Sequence, residues 1–229
     1  MKKINKNLIY RLVILGSFLS ALSSCKKDSN TTPTVIDADG NVYHTVTIGT
    51  QTWMVENLRT TKYNDGTSIP NVTDGTAWYA LSTPAYCWYN NDAAANKATY
   101  GALYNWYAVN YGKLAPKGWH VPTDAEFTTL TANLGGESLA GGKLKEIGTT
   151  HWTSPNTSAD NTTGFTALPG GDRYDGGAFG GVGSYGCWWS ASEIYTNEAW
   201  LSVMYFDSSR VRFISFNKQK GLSVRCVKD

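Results

Sequence analysis

The stretch Lys117–Leu134 constrains the fold more tightly than any other part of the chain. Thr123 stands three residues before Glu126, so hydroxyl and carboxylate can each cap the other's backbone N–H and start a helix. Pro122 falls just outside that start, where its missing N–H costs nothing. Phe127, Leu130 and Leu134 follow at helical spacing and form one apolar face. Trp119 and Val121 alternate ahead of the turn, as the end of an extended segment does.

The first 24 residues read as a targeting segment and not as fold. Lys2, Lys3, Lys6 and Arg11 precede the apolar run Leu12–Leu22, which is too short for a spanning helix of about 20 apolar residues. Leu22-Ser-Ser-Cys25 resembles a bacterial lipobox, with Cys25 as the expected site of lipid (palmitate) attachment. Removing residues 1–24 takes away four positive charges and no negative ones, so a net charge of +2 becomes −2. No basic face for nucleic acid is then left. Residues 25–35 are short and polar and read as a flexible tether. Lys26-Lys27-Asp28 faintly resembles signals that send some lipoproteins to the cell surface.

Residues 36–229 read as one domain. All nine tryptophans lie in it, charged residues are sparse and glycine is frequent, which favours loop-rich β structure. Asp37-Ala-Asp-Gly-Asn41 is expected to be a turn, because it lacks the glycine and glutamate spacing of a calcium loop. Val42–Ile48 and Gln51–Val55 flank Gly49-Thr50 as a β-hairpin. Residues 57–79 and 90–97 read as polar loops, and 100–109 and 138–147 as short helices. Gly164–Gly186 holds nine glycines and few apolar residues, so a long surface loop is expected. Ala199–Phe206 and Val211–Phe216 form a second hairpin around residues 207–210, and Leu222–Val227 a last strand.

The residues that could carry chemistry are few. His44, His120 and His151 lack metal-ligand spacing to cysteines or acids, and no metal or cofactor is expected. The nucleophile elbow and phosphate loop are missing from the sequence. Cys87, Cys187 and Cys226 are left after lipidation of Cys25, and three pairings are open in an exported chain. Cys87–Cys226 is the favoured disulfide, since it would tie the middle of the domain to its last strand. Asp172, Tyr174, Asp175 and Trp188 are the expected ligand-binding residues, offering an aromatic platform and loop carboxylates suited to a sugar ring.

Several motifs together resemble the Fibrobacter succinogenes major paralogous domain, found in exported proteins and lipoproteins of Bacteroidetes and Fibrobacteres. They are Asp39-Gly-Asn-Val-Tyr43, Val46–Met54, Glu56-Asn-Leu58, Tyr86-Cys-Trp-Tyr89, Gly118–Thr123, Leu168-Pro-Gly-Gly171, Trp188-Trp-Ser190 and Ser223–Val227. More distantly, Trp119–Phe127 and the terminal Val-Arg-Cys resemble the formylglycine-generating, sulfatase-modifying family. That likeness implies an α+β, C-type-lectin-like, loop-rich domain with small antiparallel sheets and one to three short helices. The closely spaced cysteine pair of the enzymatic version has no counterpart, because Cys187 and Cys226 lie 39 positions apart. The lectin motifs Glu-Pro-Asn and Trp-Asn-Asp are missing as well.

The function expected from these readings is a non-catalytic lipoprotein of the outer membrane, on its periplasmic or surface-exposed face. Its partners would be the membrane, through the lipid anchor, and a glycan or surface protein bound by a lectin-like adhesion module. The alternative is a structural envelope protein or subunit of a surface assembly without a small-molecule ligand.

Overall fold

The computed structural model describes residues 33–229. The expected signal peptide, the lipid-bearing Cys25 and the tether up to residue 32 lie outside the described residues. In chain order the described residues form β1 (Thr34–Ile36), β2 (Val42–Ile48), β3 (Gln51–Met54), α1 (Gly75–Tyr79), β4 (Tyr86–Cys87), α2 (Ala93–Tyr100), β5 (Leu103–Tyr104), α3 (Trp106–Asn110), β6 (Trp119–His120), α4 (Asp124–Asn133) and α5 (Glu137–Leu144). The chain continues with β7 (Gly170–Arg173), β8 (Phe179–Val182), β9 (Tyr185–Tyr195), β10 (Glu198–Tyr205), β11 (Val211–Asn217) and β12 (Val227–Lys228). This is a loop-rich α+β domain of the lectin-like class, with five short helices where one to three were expected.

One five-stranded sheet runs β1-β2-β3-β12-β6 and a second runs β11-β10-β9-β7-β8, while β4 and β5 pair separately. All pairings are antiparallel except β7 with β9. Both expected hairpins form, with Val46 opposite Trp53 in the first and Leu201 opposite Ile214 in the second. Gly49 takes the positive φ of 60° that the first turn requires. Thr34 and Val35, expected to end the tether, instead pair with His44 and Tyr43, so the sheet begins before residue 36. Asp37 closes its turn by accepting from the backbone N–H groups of Asp39 and Asn41, both at 2.9 Å.

The second sheet carries core on both faces. Trp189, Leu201 and Val203 face a cluster with Tyr43, Met54, Val121 and Cys226. Trp188, Met204 and Val211 face another with Trp53, Phe127, Leu130 and Phe165. The Lys117–Leu134 stretch reaches both, through Val121 and through the buried face of α4. Its capping box is complete: Thr123 Oγ1 accepts from Glu126 N at 3.3 Å, and Glu126 Oε2 accepts from Thr123 N at 2.8 Å.

Three local expectations are corrected. The segment expected to be a polar loop holds α2, which buries no side chain and is started by Asp92 accepting from Ala95 N at 3.0 Å. The helix expected over 100–109 is divided into the end of α2, β5 and α3. In α5 the expected apolar positions Leu139 and Ile147 are 55% and 64% exposed, Ile147 lying past the helix end. Of the expected apolar positions Leu144 is buried, and the face is completed by Ala140, Gly141 and Gly142. A Cβ at Gly142 would stand 2.5 Å from Ser158 O, so bare backbone is what lets neighbouring loops pack there.

Candidate functional site

The glycine-rich segment is not a surface loop. It forms β7 and β8, and all four residues of β7 are buried. Glycine is needed because backbone and aromatic rings close over it. A Cβ on Gly171, whose φ is 63°, would lie 2.3 Å from Gly180 O, and one on Gly181 would lie 2.0 Å from the Tyr185 ring. The sequence showed no apolar periodicity here because glycines without side chains are covered by backbone and by the rings of a few tyrosines.

This hairpin redistributes the four expected ligand-binding residues. Trp188 is 1% exposed and donates its indole N–H to Asn57 Oδ1 at 2.8 Å. It cannot serve as a stacking platform. Adjacent strand residues face opposite sides, and with core on both sides Trp188 and Trp189 are both enclosed. Asp172 is buried too, accepting from Lys220 Nζ at 2.8 Å and from the Tyr185 hydroxyl at 2.9 Å. Burial, with Tyr174 and Asp172 beside it, pushes the Tyr185 phenol far above its ordinary value, so it remains a donor. That network is internally satisfied and faces no ligand. Tyr174 and Asp175 reach the surface. The Tyr174 ring lies 4.7 Å from Lys220 Nζ, and Asp175 opens onto a cleft.

The cleft has a volume of about 400 Å³ and is lined by Tyr79, Asp175, Asn197, Asn217 and Gln219. Four segments supply these residues: the end of α1, the β7–β8 turn, the β9–β10 turn and the end of β11 with the turn after it. Tyr79 is 66% exposed. Asp175 Oδ2 accepts from Asn217 Nδ2 at 2.7 Å, and Oδ1 accepts from Gly176 N at 3.0 Å.

The walls are locked to one another. Arg173, 1% exposed, donates to the carbonyls of Val72 at 2.6 Å, Thr73 at 2.8 Å and Gly177 at 3.0 Å. Its guanidinium lies 4.4 Å from the Trp78 ring centre and 4.8 Å from that of Phe179. Gly75 and Gly177 meet backbone to backbone, so closely that a Cβ on Gly177 would stand 2.5 Å from Gly75 Cα. These contacts fix α1, and so Tyr79, against the turn carrying Asp175. Lys218 N donates to Asn197 O at 3.0 Å and holds the fourth segment in place.

A wider depression of about 560 Å³ lies over Thr45, Thr47, Thr52 and Trp119 on the first sheet. Its hydroxyls are partly spent already: Thr47 pairs with Thr52 at 3.1 Å, and Thr45 donates to Pro33 O at 3.1 Å. The cleft at Tyr79 is partly spent too, through Asp175 and Asn217, but it adds the side chains of Asn197 and Gln219 and a ring that is 66% exposed.

The expected Cys87–Cys226 disulfide is absent. Cys87, Cys187 and Cys226 are free and buried. Cys87 sits in a small cluster with Trp78, Ala85 and Leu103, whereas Cys226 belongs to the main core, so the two are packed apart. Burial pushes the Cys87 thiol up to about 12 and the other two higher, which suppresses the thiolate. Each histidine is paired with a carboxylate: His44 with Glu56, His151 with Glu146, and His120 with both Glu126 and Asp229. Among the described residues no group of three or more His, Cys, Asp or Glu could hold a metal ion, and no helix is long and apolar enough to cross a membrane.

Sequence reasoning reached Asp175 through its turn but missed Tyr79, Asn197, Asn217 and Gln219. Each is a lone polar or aromatic residue at the end of an element, and only the fold assembles them. No curated protein and no solved structure matches the chain. The model of the Fibrobacter succinogenes major domain matches residues 46–228, from β2 through β12, and the chain belongs to that family.

Proposed function

We propose that this chain is a non-catalytic binding module of a lipid-anchored outer-membrane protein, and that the cleft beside Tyr79 takes a glycan. The observation that carries the reading is an exposed tyrosine ring next to one carboxylate and three side-chain amides. A sugar presents an apolar ring face and a rim of hydroxyls; the ring stacks on the aromatic face while Asp, Asn and Gln satisfy the hydroxyls. The cleft volume lies within the range of small-molecule sites. Its locked walls favour binding, because little chain must be ordered when the ligand arrives. Non-catalytic use is supported by the buried, protonated thiols and by histidines engaged in structural ion pairs.

A glycan array probed with the mature protein and with Tyr79→Ala tests the cleft. Binding that Tyr79→Ala abolishes while the melting temperature holds supports the reading. Binding indifferent to that substitution removes the cleft. For the anchor, Cys25→Ala is expected to move the protein from the membrane fraction to the soluble fraction; unchanged fractionation and mass would overturn the lipid attachment.

A further inference from the structure

Resting on that reading of the cleft, we infer that its ligand is a sugar without acidic groups and that anionic sugars are turned away. On the Asp175–Asn217 side of the cleft the polar groups are weighted toward accepting hydrogen bonds. The Asp175 side chain brings acceptor oxygens, and Gly176 N already donates to one of them at 3.0 Å. Asn217 already gives one amide hydrogen to Asp175, at 2.7 Å. What remains on this pair is mainly oxygen lone pairs, which hydroxyl donors satisfy and sulfate, phosphate or carboxylate groups do not.

The nearby cations do not offset this bias. Lys220 is committed to Asp172 at 2.8 Å. Lys218 is committed to Glu193 and, at 2.7 Å, to the Thr196 carbonyl. Arg173 spends its guanidinium on three carbonyls beneath the turn. All three are nearly inaccessible, and the cleft lining includes no lysine, arginine or histidine. An incoming anion would meet the Asp175 side chain at a wall that presents no cation to it, a like-charge approach that disfavours binding.

Tyr79 adds a second selection. A planar phenol exposed on one wall accepts the apolar face of a pyranose and gives no reason to prefer a charged substituent. The ligand class that meets both demands is a sugar ring with adjacent free hydroxyls and no acidic substituent.

Calorimetric titration of the mature protein with two matched oligosaccharide sets tests the inference: neutral gluco-oligosaccharides and the same chains oxidised to uronic acids. The neutral set is expected to bind, and oxidation is expected to weaken affinity about ten-fold or more. Asp175→Asn is expected to narrow that gap, and its melting temperature reports whether the turn survives; Gln219→Ala, farther along the chain, is expected to weaken neutral binding without changing the gap. Uronic chains binding as well as neutral ones would overturn the choice of class while a response to Tyr79→Ala keeps the cleft. No binding in any arm, or binding that ignores Tyr79→Ala, would overturn the cleft itself.

Discussion

Asn57 and Trp188 lie 131 residues apart in sequence and are joined by a hydrogen bond of 2.8 Å from the indole N–H to the amide oxygen. The same oxygen accepts from Arg225 Nη2 at 2.9 Å, and Asn57 Nδ2 donates to Tyr100 O at 2.9 Å. Arg225 is 1% exposed and meets no carboxylate in its hydrogen bonds; it donates to Asn57 and to the carbonyls of Phe165 and Thr166. Burial lowers its ordinarily very high pKa to about 9. One asparagine thus ties the β2–β3 hairpin, the Trp188 strand and the last segment of the chain.

Asn57→Ala leaves a buried indole N–H and a buried guanidinium short of an acceptor. Leaving a buried donor without its acceptor costs about 1–3 kcal/mol, and more where the donor is charged. Chemical denaturation should show a large fall in midpoint; a change below 1 kcal/mol would mean that water or a relaxed Arg225 replaces the amide.

Thr123→Ala removes one half of the α4 capping box and should destabilise by about 0.5–2 kcal/mol. Sugar binding should not change, because α4 contributes nothing to the cleft lining. Unfolding curves and titrations on the same variant check both statements.

The β7–β8 hairpin supplies an internal contrast. Gly171→Ala combines a φ of 63° with a Cβ 2.3 Å from Gly180 O, whereas nothing lies within 4 Å of a Cβ at Gly176 and its φ is ordinary. The first variant should unfold at a markedly lower temperature. The second should stay within about 0.5 kcal/mol of the parent.

His120 predicts a pH dependence of stability. Burial alone would lower its pKa, but hydrogen bonds to Asp229 and Glu126, each at 2.7 Å, outweigh burial and raise it above the ordinary 6.5. A raised folded-state value means that folding favours the imidazolium. The contribution is full below pH 6.5 and is lost as pH rises through the raised value. Burial likewise opposes ionisation of Glu126, yet hydrogen bonds from Thr123 and His120 prevail and hold it below its ordinary 4.5, so its share is lost only in acid. The melting temperature of the parent should fall relative to that of His120→Gln as pH climbs past 6.5, and parallel curves would contradict the assignment.

Much of the fold was legible where neighbours in sequence decide the structure. The two hairpins and the capping box are of this kind, each with its turn, alternation or cap within a few residues. α2 was not, because it buries no side chain and so carries no apolar stripe; an Asp92 cap before three alanines was its only trace. β7 and β8 were hidden for the opposite reason. Asp172 and Arg173 pack against Lys220 and Trp78, from other parts of the chain, and against Phe179 of the paired strand, and the glycines signal close packing that composition alone presents as a loop. The same non-locality misassigned Trp188, whose aromatic surface is spent on the core. Trp188→Ala should therefore cost stability, about 3–5 kcal/mol as for large buried aromatics, and not a ligand contact. The cleft residues were illegible as a set, since four separate element ends bring them together.

The most direct measurement of the central claim is a titration of Tyr79→Ala, beside the parent protein, with the neutral oligosaccharide that binds best on an array. Tyr79 is exposed, and its loss should leave the melting temperature unchanged to within the effect of an ordinary surface substitution, about 0.5 kcal/mol. The account predicts that affinity is lost while the fold is kept. Equal affinity in the two proteins would contradict it.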